Sequence, residues 1–339
     1  MSLSATLLQD AILEVRSING LSFQDNELKR GKYGALDAAN AGITKLVPKS
    51  TLQSIKEATS QATYIDVFVK EADGVLTARK CEGTGGATTA TVPLTYQPFF
   101  EEFQISSIEH EGNRAKMAET LAFLIRERMK SLHSRVNAAG VAYLEANALA
   151  GAGSFGVPAA NAMQFAQATK GDYFNQLTTN MEENSFYGQY VNVHSFSQSQ
   201  AVRLDQSNND NTINNLTSQS LGFTHYASTG VVNIPLVQST SYIFEDGTFG
   251  MIPWINSLSK AGKTIGTDTW GTIADPFGTL GTLELKIKES CVDNSATLGA
   301  GAEADAVISY VIGGEFAFLS AYDSTGADSG IYKGEILIA

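Results

Sequence analysis

The feature that most constrains this chain is one long amphipathic helix. Met117, Leu121, Leu124, Ile125, Leu132, Val136, Ala139, Tyr143 and Leu144 recur at helical spacing between Asn113 and Ala148. Asn113 suits an N-cap, and the opposite face carries Arg114, Lys116, Glu119, Arg126, Glu127, Arg128, Lys130 and Arg135. Some 35 residues would span about 50 Å, several times the usual helix of about 11–12 residues. One such helix dominating a chain of mixed pattern is unusual. Gly140 is a candidate bend, and His133 is expected at a surface or interface.

What precedes the helix lacks a core of its own. Leu3, Leu7, Leu8, Ile12 and Val15 predict a short amphipathic helix over residues 3–16. Residues 17–50, with Gly20, Gly31, Gly34, Gly42 and Pro48, show little periodicity and are expected to gain order from a partner. A brief helix opens at Ser50-Thr51. Tyr64–Lys70 alternates in β-branched and aromatic residues, Ala72-Asp73-Gly74 turns, residues 75–91 are small and polar, and 92–108 are extended again. This predicts a long two-stranded arm, which is marginal in water unless it lies on something.

After the long helix the pattern changes. Gly151 to Pro158 stops it. Asp172 caps a second helix with Phe174, Leu177 and Met181 on one face, Gly188 ends it, and Tyr190–His194 is a strand. Residues 206–220 form a polar loop. Short strands are then predicted at Val231–Val237, Ser241–Phe244, Met251–Ile255, Thr282–Lys288, Val307–Ile312, Glu315–Ala321 and Tyr332–Ile338. The fold class is therefore α+β.

Charge divides the 339-residue chain unevenly. Residues 1–135 hold 16 of the 23 Lys and Arg and 16 of the 35 Asp and Glu; residues 136–339 hold the other 7 and 19, the entire −12. An acidic body disfavours tight binding to phosphate backbones. Charged residues make up only 17% of the chain against 43% hydrophobic, which suits a surface largely covered by neighbours. No basic, apolar leader opens the sequence and no apolar run reaches membrane-spanning length. Cys81 and Cys291 are expected to be reduced thiols, since two cysteines at this spacing make neither a disulfide framework nor a metal site.

The chemical motifs fail on context. Gly151–Gly156 matches GxGxxG but follows a helix and precedes Pro158, where a dinucleotide site needs a strand before it and a helix after it. The Gly299–Ala304 run is equally out of place. Gly262-Lys263-Thr264 lacks the first P-loop glycine, that position being Ser257, and Gly266 and Gly271 deny the helix that should follow. His110, His133, His194 and His225 have no second ligand at metal spacing. No GxSxG elbow exists, Ser154 being out of frame, and no carboxylate pair is placed for acid–base work. The expectation is no catalytic, cofactor or metal residue.

In element order the chain resembles the tailed-phage major capsid proteins of the Hong Kong 97 type: an N-terminal arm, a glycine-tipped β-arm, one long helix, a helix-and-sheet domain with a polar loop, and a closing strand. The resemblance implies an N-terminal arm and linker at 1–59 and an E-loop at 60–106. It implies a peripheral domain with the spine helix at 107–171, an axial domain at 172–280, and a return to the peripheral domain at 281–339. It also implies a homo-oligomer of hexameric and pentameric capsomers, forming an icosahedral virion shell that encloses DNA without sequence-specific binding or a membrane. Scaffolding, portal and minor capsid or decoration proteins would be further partners. Some members weld their shells through a lysine in the E-loop, and Lys80 is the only lysine near this arm's tip. Competing readings are an encapsulin-like nanocompartment shell, a tail-tube or other β-rich virion protein, a secreted β-rich adhesin, and, last, an enzyme.

Overall fold

In a computed structural model, the residues described are 7–14, 32–68, 89–106, 109–110, 113–151, 156–166, 172–184, 186–198, 223–292, 305–321 and 329–338. The predicted arm tip with Lys80 and Cys81, the polar loop at 206–220, Ser154 and the whole Gly299–Ala304 run lie outside them.

The long helix, α3 (Arg114–Ala146), is 33 residues, or about 50 Å. Asn113 caps it, its side chain accepting from the amides of Ala115 and Lys116. Its position along the first sheet is fixed by Glu101 on β3 (Gln97–Ser106), which accepts from Arg135 at 3.0 Å and from the Ser131 hydroxyl at 2.9 Å. Arg126, assigned to the charged face, is instead buried, with Nε and Nη2 unpartnered: the packed stripe is wider than the apolar residues alone define.

Two six-stranded sheets flank the helix. The first runs β10 (Thr264–Ile265), β11 (Asp268–Ala274), β12 (Thr282–Val292), β13 (Asp305–Ser320), β3, with β9 (Phe249–Trp254) also on β13. The second runs β4 (Val157–Ala159), β5 (Ala162–Phe165), β14 (Ile331–Leu337), β8 (Val237–Glu245), β6 (Tyr190–His194), β7 (Thr224–Ala227). Helix α4 (Tyr173–Glu183) packs Tyr173, Leu177 and Met181 against the second sheet. Asp172 stands at its N-cap position without a side-chain capping bond.

Three expectations are corrected. Residues 34–46, expected to have only weak structure of their own, form helix α1 (Gly34–Leu46), buried along a broad face through Ala35, Leu36, Ala38, Ala39, Ile43 and Leu46. It lies so close to the sheets that a Cβ on Gly42 would overlap the Phe249 carbonyl. Residues 305–320, expected as two strands broken at Gly313-Gly314, form one strand that changes partner there, from β12 to β9, while β3 spans the join. A Cβ on Gly313 would strike the Phe99 carbonyl, so the glycine serves close strand approach and not a turn. Residues 231–236 are irregular, and β8 begins only at Val237.

The two-stranded arm exists, but its root is not bare. Strands β1 (Tyr64–Phe68) and β2 (Thr89–Pro93) pair antiparallel, Tyr64 with Pro93. Their inner face, Ile65, Val67 and Val92, joins Leu94 in a second core with Ile43, Leu46, Ile252 and Leu319. The support inferred to come from neighbours is, at the root, supplied by α1, helix α2 (Lys49–Glu57), β9 and β13. The Ser50-Thr51 helix start is thus observed one residue early.

Candidate assembly surfaces

Two ionic sites tie α3 to the sheets. His133 has no exposed surface, which corrects its expected surface position: Nδ1 meets the Met129 carbonyl at 2.7 Å and Nε2 the Asp275 carboxylate at 3.0 Å. Tyr33 and Phe277 pack against its ring. Asp275 also accepts from the amides of Phe277 and Leu280. Burial alone would raise its pKa; the hydrogen bond and charge of His133, with those amides, outweigh burial and hold it below the usual carboxylate value.

Near the C-terminal end of α3, Glu145 accepts from Lys333 at 2.9 Å, Asn161 at 3.0 Å and the Tyr242 hydroxyl at 2.5 Å. Lys333 also meets Glu335 at 3.0 Å, and Glu335 accepts from Gln164. Burial would raise the Glu145 carboxyl, but these donors lower it; burial would lower the Lys333 ammonium, but its two carboxylates raise it. This site borders an open cavity of about 270 Å³, walled by Val141, Ala142, Val232 and Ile234. Val232, Ile234, Leu236 and Ile338 are 74%, 52%, 75% and 57% exposed. Leu236 holds φ 72°, a left-handed backbone that leucine seldom adopts, and its carbonyl accepts from the Ile338 amide.

Large apolar side chains are exposed on other elements too: Tyr64 on the arm, Phe123 on α3, Val157 on β4 and Ile265 on the β10–β11 hairpin. No spacing rule marked Val232, Ile234 and Leu236 as a surface, because Val231–Val237 resembles a strand; the alternation with Asn233 and Pro235 was the available signal.

The motifs rejected on context stay apart from one another. Gly151 has φ 70° past the end of α3, and Gly156 leads into edge strand β4. Gly262 is the left-handed C-cap of helix α5 (Ser257–Ala261), so Gly262-Lys263-Thr264 is the expected polar turn. His110 bonds the Ser106 carbonyl and the Thr120 hydroxyl. Unforeseen, parallel pairing of β6 with β7 brings the rings of His194 and His225 to 5.9 Å. Among the described residues no group of three or more His, Cys, Asp or Glu could hold a metal ion, and no helix is long and apolar enough to cross a membrane. Cys291 is an exposed free thiol.

No protein-family model matches the chain, and no curated protein matches it in sequence. Among solved structures, the chain is similar to the capsid asymmetric unit of cyanophage A-1(L), at 12% identity and TM-score 0.48 over 85% of this chain and 92% of that one. It is similar to the capsid of Ralstonia phage GP4, at 11% identity and TM-score 0.47 over 89% and 92%. It is also similar to a structure from Mycobacterium phage Che8, at 12% identity and TM-score 0.45 over 84% and 89%.

Proposed function

We propose that this chain is a shell-building subunit, a major capsid protein of the Hong Kong 97 type, which assembles into six- and five-membered rings and these into a closed shell around double-stranded DNA. The observation that carries the reading is the group of exposed apolar side chains Val232, Ile234, Leu236 and Ile338 beside one cavity, in a chain with well-filled cores. A monomer rarely exposes contiguous apolar surface, whereas a subunit enclosed by neighbours needs it. The arm–spine–sheet order supports the same assignment. In this reading residues 60–106 are the arm, whose returning end β3 enters the first sheet, 107–171 and 281–339 are the peripheral domain and 172–280 the axial domain, with α1 and α2 part of the body and not of a loose arm. The role is structural and not catalytic, and the acidic 136–339 region suits a wall that contains DNA without gripping it.

Negative-stain microscopy of the purified protein tests this. Rings or closed shells are expected, holding nuclease-protected DNA when taken from infected cells. A protein that stays monomeric by analytical ultracentrifugation under all assembly conditions overturns the proposal. Shells that hold protein cargo and no DNA overturn the viral part of it.

A further inference from the structure

We infer that the cavity beside Glu145 is a socket for a basic side chain from a second copy of this chain. The inference rests on the self-assembly proposed above and names one contact within it.

The first observation is an unmet polar group. Thr240 is 2% exposed and lines the cavity, yet its hydroxyl has no hydrogen-bond partner. A buried hydroxyl without a partner is unfavourable and uncommon in a finished structure. Its backbone is satisfied, since the amide donates to the Ser195 hydroxyl and the carbonyl accepts from the Ser195 amide. Only the hydroxyl, buried beneath the cavity wall, is left wanting.

The second observation is charge. Glu145, Lys333 and Glu335 sum to −1, and the single internal cation already serves both carboxylates. Glu145 keeps 43% of its side chain open to solvent, so its remaining acceptor capacity faces outward. A second cation is the group that would balance the site.

The third is shape. Val232, Ile234, Val141 and Ala142 give the opening apolar walls. An apolar throat above a polar, anionic floor fits the aliphatic stem and cationic head of Lys or Arg. Leu236 and Ile338 extend the apolar surface beyond the rim, where a neighbour's backbone would lie. The chain has cations to offer: every cavity residue falls after residue 135, in the part that carries the whole −12, while residues 1–135 hold 16 of the 23 basic residues, balanced by 16 acidic ones.

The test uses Ala142, an exposed residue on the cavity wall. Ala142→Lys supplies a cation from the same chain; Ala142→Met supplies similar bulk without charge. Assembly is followed by light scattering and microscopy, and the fold of unassembled subunits by thermal melting. The expected result is that A142K melts at or above the wild-type temperature but assembles at least tenfold more slowly, while A142M assembles within about threefold of wild type. Wild-type assembly by A142K overturns the socket while leaving self-assembly intact. Equal inhibition by Lys and Met overturns the cationic occupant. Failure of the wild-type chain to assemble at all is a different result, and counts against the shell reading itself.

Discussion

The His133–Asp275 pair and the Glu145–Lys333–Glu335 group sit on the same helix and are built in opposite ways. In the first, neither side chain has any exposure, one potential cation meets one carboxylate, and two backbone amides take up the carboxylate's remaining capacity. In the second, one carboxylate is left over, Glu145 is half open, and a buried hydroxyl beside it has no partner. A polar site whose needs are all met within the chain fixes where the helix lies. A site with needs left over at the surface is addressed to something outside. The two should therefore separate under mutation, the first moving stability and the second assembly.

The largest effect is expected from removing residues 1–50. On the sequence reading this would spare the body; with α1 in the main core and Tyr33 against the His133 ring, the truncated chain should lose cooperative thermal unfolding. A truncated protein with a sharp transition and native near-ultraviolet dichroism would show that the closed site holds without this cover. Next, His133→Ala leaves Asp275 buried without its partner and should reduce unfolding free energy by about 3–5 kcal/mol. Urea titration of unassembled subunits measures this, and a loss under about 1 kcal/mol would mean the site is wetter than its geometry.

His225 lies on edge strand β7, beside His194 and Phe174. Burial, with some repulsion from His194, lowers its pKa to about 4 from the usual 6.5. The unfolded chain therefore binds this proton more readily, and the stability held above pH 6.5 is lost as pH falls from 6.5 towards 4. A shift of this size corresponds to about 3 kcal/mol, and partial exposure of the ring reduces it to about 2 kcal/mol. His225→Gln should flatten that part of the stability–pH curve; an unchanged curve assigns the acid sensitivity elsewhere. The smallest effect on stability belongs to the open site. Thr240→Val removes the unpartnered hydroxyl at nearly constant shape, so the unfolding free energy from urea titration should fall by no more than about 0.5 kcal/mol, or rise. A loss above 1 kcal/mol would mean the hydroxyl is satisfied inside the chain.

The elements visible in the sequence were those with a strong local signature, whether or not they keep a wet face: β6 is buried along its whole length. Helix α3 showed its period because charge lines its exposed side, and β1 and β6 because β-branched residues cluster in them. Helix α1 was missed although Leu36, Ala39, Ile43 and Leu46 keep helical spacing, because its stripe is built largely of alanine and Gly34 and Gly42 read as breaks. Gly313-Gly314 looked like punctuation, since nothing in one chain's sequence distinguishes a glycine that turns from one that lets a neighbouring strand come close. His133 was misplaced for a related reason: its partner lies 142 residues away, beyond any spacing rule. Both ionic sites and the apolar rim depend on such distant pairings, so the candidate surfaces were far less legible than the fold.

The placing of β13 and β14 has a consequence for how the chain is made. They are the last two strands in sequence, yet each is central to its sheet: β13 joins β12 and β9 to β3, and β14 joins β5 to β8. Until residues 305–337 have left the ribosome, neither sheet has its middle, and β3 waits some 200 residues for its partner. Long-range pairing of this kind is slow and leaves strand edges unprotected meanwhile. Folding of this chain is thus a late event that follows the synthesis of its last strands, and the surfaces that would join neighbours come into being only with them. In the proposed assembly, this order of strands leaves the cavity without its Lys333 and Glu335 wall until β14 has been made.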